Sequence, residues 1–280
     1  EETAKACALQ FGCAYGTYEE VLDNKYVDAV YVSLPNSLHE EWTIKAAQAG
    51  KHVWCEKPAA LTYTSAKRMV AACKENNVRL MEGFMFFYHP QHVKVRELIK
   101  EGALGELLVF NGNFSMPMPD AKSNLLDADL GGGSYNDAGA YLIRASRMIF
   151  NEEPERIACS LTVDRATNVD VKADMLLNYP GGRSALLSCA FGAYFQSTYG
   201  VLGTEARLYM ERAYAVPKDR AVKIFLERDD KVKEIPFEPV DHFRLMIDDF
   251  CQEILLERKS TKNYEGDLLA QACVLDAGRV

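Results

Sequence analysis

Two groups of polar side chains in this sequence have the types and spacing that acid–base chemistry needs. The first is Glu56-Lys57-Pro58, which arrives directly after the apolar run Val53, Trp54 and Cys55. A proline holds the residue before it in extended conformations, so Lys57 leaves the end of a buried strand in a fixed direction. The second is Asp137, Tyr141 and Arg144, whose spacing on a helix puts three side chains near one face. A tyrosine hydroxyl beside a lysine ammonium is a competent proton relay for interconverting a carbonyl and an alcohol. Each group also has a plain structural reading. Lys57 reads as a solvated turn charge, and Tyr141 as one member of the apolar stripe Ala138, Tyr141, Leu142, Ala145, Met148 and Ile149.

Two further patterns carry less. His89-x-x-His92 has a spacing that suits two metal ligands, but no third donor follows at a recognisable interval, so the pair reads as helix surface and no metal is expected. Gly131-Gly132-Gly133 does not follow a strand and lacks the Lys-Ser/Thr ending of a phosphate loop. It reads instead as a place where a ligand approaches the backbone closely.

Hydrophobic periodicity supplies the elements that must position these groups. Residues 1–84 alternate helix and strand, which predicts a doubly wound α/β unit with a parallel sheet. Ala4, Cys7, Ala8 and Phe11 have helical spacing, Thr17 with Glu20 makes a capping box, and Asp28 to Leu34 is an apolar strand. Ser37 with Glu40 makes a second box, for a helix that stops at Gly50 before the strand His52 to Cys55. A third helix, with Ala66, Met69, Val70 and Cys73 on one face, leads to the strand "VRLMEGF". In such a sheet ligands bind beyond the carboxyl ends of the strands. That places Leu34, Pro35, Asn36 and His39 after one strand, and Glu56 and Lys57 after the next, beside one crevice; Asn36 and Ser37 read equally well as helix caps.

Residues 85–280 read as an α+β unit. A helix follows Pro90, the helix bearing Asp137 interrupts, and β-rich segments joined by turns such as Pro180-Gly181-Gly182 predict a mostly antiparallel sheet with one open face. At 280 residues and 48% hydrophobic, the chain can bury two moderate cores. A net charge of −8 argues against nucleic acid or an anionic membrane surface, leaving small molecules as the expected partners. No apolar run has the length of a membrane span. Eight scattered cysteines without a Cys-x-x-Cys pair read as reduced thiols of a cytosolic protein.

Taken in order, "VDAVYVSLPNSLHEEWTIKAAQAGKHVWCEKPAALT", "MEGFMFFYHPQH", "EGALGEL" and "LGGGSYNDAGAYLIRASRMIF" resemble the family of glucose–fructose oxidoreductase, inositol dehydrogenase and dimeric dihydrodiol dehydrogenase. The resemblance implies a Rossmann domain joined to a C-terminal α/β domain whose open sheet face mediates homo-oligomers, and NAD or NADP as cofactor. It places the family's conserved lysine on Lys57 and its acid/base residue on Tyr141, with Asp137 orienting the substrate or the tyrosine and Arg144 on the substrate side. Leu34, Pro35, Asn36, His39 and Glu56 would line the cofactor side. Beside a cationic nicotinamide, burial and like charge would lower the Lys57 pKa while Glu56 raised it.

The segment from Val169 to Pro217 looks most like nucleotide-sugar 3-ketoreductases, which implies a sugar or nucleotide-sugar substrate. The alternatives are an aromatic dihydrodiol or pentose dehydrogenase, and a non-catalytic nucleotide-sensing or scaffold protein. Two positions depart from the family pattern: Phe87 stands where many relatives have arginine, and Arg144 where many have aspartate. The family's Gly-x-Gly-x-x-Gly turn is also absent, so the expectation is a fragment that holds the nicotinamide half of the cofactor.

Overall fold

A computed structural model describes residues 2–255 and 262–279. The first sheet is small and parallel. Strands β1 (Ala29–Val32), β2 (His52–Cys55) and β3 (Leu80–Glu82) lie side by side in that order. Helices α1 (Glu2–Phe11) and α2 (Tyr18–Asp23) precede them, while α3 (His39–Gln48) and α4 (Tyr63–Glu75) make the crossovers. The capping box at Thr17 and Glu20 forms as its spacing predicts. That at Ser37 and Glu40 does not. Ser37 falls inside a 3-10 turn, Asn36–Leu38, and Glu40 is drawn to Arg68 of α4 at 2.8 Å. On α4 the predicted face is realised, with Ala66, Met69 and Cys73 buried. On α1 it is not: the helix forms, but only Ala8 is buried and Phe11 is 72% exposed.

The second sheet has eight strands in the order β11-β10-β9-β8-β4-β7-β6-β5. These are β4 (Leu107–Met116), β5 (Arg156–Val163), β6 (Asp170–Asn178), β7 (Ser184–Phe191), β8 (Gln196–Gly203), β9 (Arg207–Met210), β10 (Val222–Arg228) and β11 (Lys231–Phe237). Every neighbouring pair is antiparallel except β4 and β7. Helices α5 (Pro90–Lys100), α6 (Ala140–Phe150), α7 (His242–Leu255) and α8 (Tyr264–Ala277) complete the chain. Helix α6 is buried along nearly its whole length in the core with Phe110, Phe114 and Leu187 of the sheet. The opposite sheet face is open, and Leu176 and Leu186 sit opposite each other on it, 38% and 48% exposed.

Two details differ from the periodicity reading. The stretch before α6 is a wide π turn, Tyr135–Gly139, so Asp137 and Tyr141 are joined by a wider turn than an α-helix would give. Helix α8, placed by the sequence boundary in the second unit, contributes Leu268 and Ala272 to the core of the first, beside Met69 and Leu80. Among the described residues no helix is long and apolar enough to cross a membrane. All eight cysteines are free.

Candidate active site

The site forms where β2 ends. Val53 and Cys55 bury themselves between helix layers, and the chain turns out of the sheet at Glu56, with a cis bond between Lys57 and Pro58. His39, fully buried, holds this turn to the one after β1: its ring nitrogens lie 3.0 Å from the Pro58 carbonyl and 2.8 Å from that of Leu34. It therefore sits beneath the two loops and not on the wall of the crevice, and its role there is to fix their separation. Leu34, Pro35 and Asn36 remain half-buried at the end of β1. The Asn36 amide donates to the Gly131 carbonyl at 2.9 Å and ties that loop to the second domain. Glu56 accepts from the Tyr31 hydroxyl at 2.5 Å, and Tyr31 stacks on Trp54.

Lys57 crosses to the π turn. Its ammonium donates to the Asp137 carboxylate at 2.5 Å and to the Asp137 carbonyl at 3.1 Å, and it lies 4.7 Å from the centre of the Tyr141 ring. The lysine and aspartate side chains are only 12% and 17% exposed. Burial alone would lower the lysine pKa, but the charge of Asp137, with Tyr141 and Glu56, more than offsets it, and the lysine is held above its usual range. Burial lowers and Glu56 raises the lysine, as expected of each; Asp137 adds the larger opposing charge, and Lys57 stays a cation. Asp137 orients the lysine; no contact between its carboxylate and the tyrosine hydroxyl forms.

Tyr141 is buried within an aromatic wall of Phe84, Phe86, Phe114 and Tyr214. Among the described residues its hydroxyl meets only the Met85 sulfur, at 3.3 Å, a weak acceptor. Burial raises its pKa and the Lys57 charge pulls against that, so the hydroxyl keeps its proton. A neutral phenol with a weak partner, beside a fixed cation, is suited to donate to an oxygen that becomes negative.

Arg144 does not join this cluster. Its guanidinium pairs with Asp267 at 2.7 Å and lies 5.0 Å from the Phe87 ring, lining a separate cavity of about 220 Å³ with Glu82, Tyr88 and Tyr264. The two positions that depart from the family pattern are therefore in contact with each other. The three glycines leave no room for a ligand, because protein atoms already fill it: a Cβ at Gly133, where φ is +112°, would stand 2.2 Å from the Asp170 carboxylate. His89 and His92 are fully buried and not on a helix surface. His92 lies 2.9 Å from the Tyr199 hydroxyl and 2.7 Å from the Ala213 carbonyl. Among the described residues no cluster of three donors suits a metal. Glu82 went unnoticed in the sequence: its carboxylate accepts from the Ala59 backbone at 2.9 Å, just beyond Pro58, and burial pushes its pKa up to about 7.

A parallel sheet whose strand ends carry Lys57, set against an α/β domain that brings Asp137 and Tyr141, defines a two-domain NAD(P)-dependent oxidoreductase. The chain belongs to the GFO/IDH/MocA family: the oxidoreductase family with NAD-binding Rossmann fold matches residues 1–84, and the GFO/IDH/MocA C-terminal domain matches residues 92–209. It is similar to dTDP-3,4-didehydro-2,6-dideoxy-alpha-D-glucose 3-reductase from Actinomadura kijaniata, 34% identical over 262 residues, 94% of this chain and 79% of that protein. It is also 34% identical over 257 residues to D-xylose 1-dehydrogenase (NADP(+)) 2 from Haloferax volcanii, covering 91% of this chain and 78% of that one. A solved 3-ketoreductase from Actinomadura kijaniata, in complex with NADP and TDP-benzene, superimposes with a TM-score of 0.94 at 33% identity over 99% of this chain and 86% of its own. That reductase has also been solved with one lysine replaced by alanine and with one tyrosine replaced by phenylalanine; the two positions are as far apart in its chain as Lys57 and Tyr141 are here.

Proposed function

We propose that this protein interconverts a keto group and a hydroxyl on a sugar or nucleotide-sugar, with Tyr141 as proton donor and Lys57 as the charge that holds the reacting oxygen. The observation that carries this reading is the nearly buried Lys57 ammonium, fixed by Asp137 against the face of Tyr141 at the carboxyl end of β2. Two of its three N–H donors are committed to Asp137, which leaves one for a substrate oxygen. The matching separation of the replaced lysine and tyrosine in the Actinomadura kijaniata reductase supports the same pair.

The residues present fit the nicotinamide end of the cofactor. Leu34, Pro35 and Asn36 after β1, and Glu56 and Lys57 after β2, edge one crevice beyond adjacent parallel strands. When bound, NAD(P) supplies or accepts the hydride at the carbinol carbon. The chain does the rest. Tyr141 delivers its proton to the nascent alkoxide, Lys57 lowers the energy of that negative oxygen, and Asp137 keeps the ammonium in place. The aromatic wall around Tyr141 excludes water, so these charges act in a low dielectric.

Copies of the chain pair through the open face of the eight-stranded sheet, where Leu176, Leu186 and Leu202 are exposed together, and the free thiols suit the cytoplasm. Turnover of keto- and hydroxy-sugars, free and nucleotide-linked, with NADH, NADPH and their oxidised forms tests the main reading. Reduction or oxidation of at least one sugar is expected. Cofactor binding without turnover across the panel would favour a nucleotide-sensing role instead.

A further inference from the structure

The two members of the Lys57–Asp137 pair come from different domains, so the 2.5 Å between them depends on how the turn after β2 is held against the π turn. A lysine on its flexible stem does not fix that separation by itself. One other side chain bridges the flanks of both members. Arg279, just past the end of α8, donates from Nη1 to the Leu61 carbonyl, four residues beyond Lys57, and from Nη2 to the Asn136 side-chain oxygen, directly before Asp137. Its guanidinium lies 5.4 Å from the centre of the Tyr135 ring, and its counter-charge is the Asp276 carboxylate at 3.9 Å. Both acceptors of the fork are neutral. The arginine is therefore not spent on a second ion pair there; its planar fork holds two chain segments at a set distance, which a point-charge ammonium cannot do.

Each partner passes the constraint on. The buried Asn136 amide donates to the Gly131 and Gly132 carbonyls at 3.1 Å each, and the Gly131 carbonyl also takes the Asn36 amide from the loop after β1 at 2.9 Å. With its oxygen on Arg279 and its nitrogen on the glycine loop, the Asn136 amide has one orientation, and the backbone that carries Asp137 follows it. The arginine is itself firmly based. Helix α8 is anchored in the first core through Leu268 and Ala272. Its last turn is tied to both domains: the Leu275 carbonyl accepts from the Tyr135 hydroxyl at 2.9 Å, and the Asp276 carboxylate from the Tyr63 N–H at 3.0 Å.

We propose that Arg279, acting through Asn136 and the Leu61 carbonyl, is a positioning residue that sets the Lys57–Asp137 contact and with it the place of the ammonium beside Tyr141. The inference rests on the oxidoreductase reading above. Arg279→Ala should lower kcat by about 10- to 100-fold, the cost of displacing a catalytic group by about 1 Å, while KM for sugar and cofactor stays nearly unchanged. The Arg279 side chain is 26% exposed, so free guanidinium ion can take its place. It should restore part of the kcat of the alanine variant where sodium chloride of the same ionic strength does not. Arg279→Lys keeps the charge without the fork; it should melt like wild type and lose less kcat, and it carries the test if the alanine variant does not fold. Arg279→Ala/Asn136→Ala should be no slower than the slower single variant, because both act through one contact. Wild-type kcat in Arg279→Ala, a rise in KM alone, a loss that guanidinium leaves unchanged, or losses that multiply in the double variant would overturn the proposal. A stability cycle decides it without turnover: Lys57→Met should lower the denaturation midpoint less in the Arg279→Ala background than in wild type, because the pair is already loosened there. Additive losses refute it. Should no sugar be turned over, the oxidoreductase reading fails, and this cycle still decides whether Arg279 sets the pair.

Discussion

Replacing Lys57 by methionine keeps the length of the side chain and removes its charge, and the structure sets two separate consequences. The first concerns stability. Asp137, 17% exposed, loses the ammonium that it holds at 2.5 Å, and stranding one partner of a buried pair costs roughly 3–5 kcal/mol. Because both side chains keep some contact with solvent, about 3 kcal/mol is the expected figure, which lowers the melting temperature by roughly 6–12 °C in a protein of this size. The second concerns chemistry: a cation at the developing alkoxide is lost, which should lower kcat by ~10²–10³-fold. The double variant Lys57→Met/Asp137→Asn separates the two. With no carboxylate left uncompensated it should regain most of the melting temperature, while its turnover stays as low as in the single variant. Nicotinamide absorbance follows turnover, and nicotinamide fluorescence should show nearly unchanged cofactor affinity. Recovery of turnover together with stability in the double variant would show that Lys57 only holds the fold, and the catalytic assignment would be withdrawn.

For Tyr141→Phe, kcat should fall by ~10²–10⁴-fold with little change in melting, because the hydroxyl bonds only the Met85 sulfur; phenylalanine keeping more than about a tenth of the turnover would return Tyr141 to the core. Burial raises Glu82 to about 7 in the fold, so the folded protein holds that proton more tightly and its contribution to stability is lost as pH rises through 7. Glutamine keeps the contact to Ala59, so Glu82→Gln should melt higher than wild type above pH 7 and alike below the carboxylate range; equal melting at both ends contradicts this. His89 and His92 are pushed the other way by burial, to about 4 and about 3. Stability is then complete above their ordinary value and falls as pH drops below it, by about 1.4 kcal/mol per pH unit for each histidine that the unfolded chain protonates. His89→Asn, which can still cap α5 by accepting from Gln91, should narrow the gap in denaturation midpoint between pH 7 and pH 5; an unchanged gap excludes His89 as a contributor. Leu186→Arg on the open sheet face should yield a monomer by light scattering, and a mass equal to that of the wild-type assembly would remove that face as the interface.

Much of the scaffold is legible in the sequence because its signals are local. The strand predicted at 28–34, the Thr17–Glu20 box and the face Ala66, Met69 and Cys73 each follow from spacing within one element, and each forms, the strand over the shorter span Ala29–Val32. What fails depends on partners far along the chain. Ser37 and Glu40 have the right interval for a cap, yet Arg68 from another helix takes the glutamate. The α1 stripe predicts burial, but a stripe buries only if something packs on it, and Phe11 meets no core. Helix α8 lies beyond the second sheet in sequence but returns to the first core through Leu268 and Ala272, which no local pattern could announce.

The same division runs through the site. Lys57 and Asp137 stand out by type, but the ion pair joins residues eighty positions apart, so the direction of the lysine pKa shift could not be read without the fold. The Asp137 carbonyl, inside the wide turn Tyr135–Gly139, accepts from the ammonium beside its own carboxylate, so the lysine is held by backbone and side chain of one residue at once. Arg144 and Phe87 show the limit of reading positions singly. Each departs from the family pattern and each casts doubt on the site when taken alone, yet the guanidinium lies over the phenylalanine ring and its charge is met by Asp267, in a cavity apart from Tyr141. Where the family pattern would place an arginine and an aspartate, this chain places a phenylalanine ring and a guanidinium that lies over it. The departures therefore alter how that cavity is built, while the Lys57–Asp137 pair and the Tyr141 ring beside it lie outside its lining.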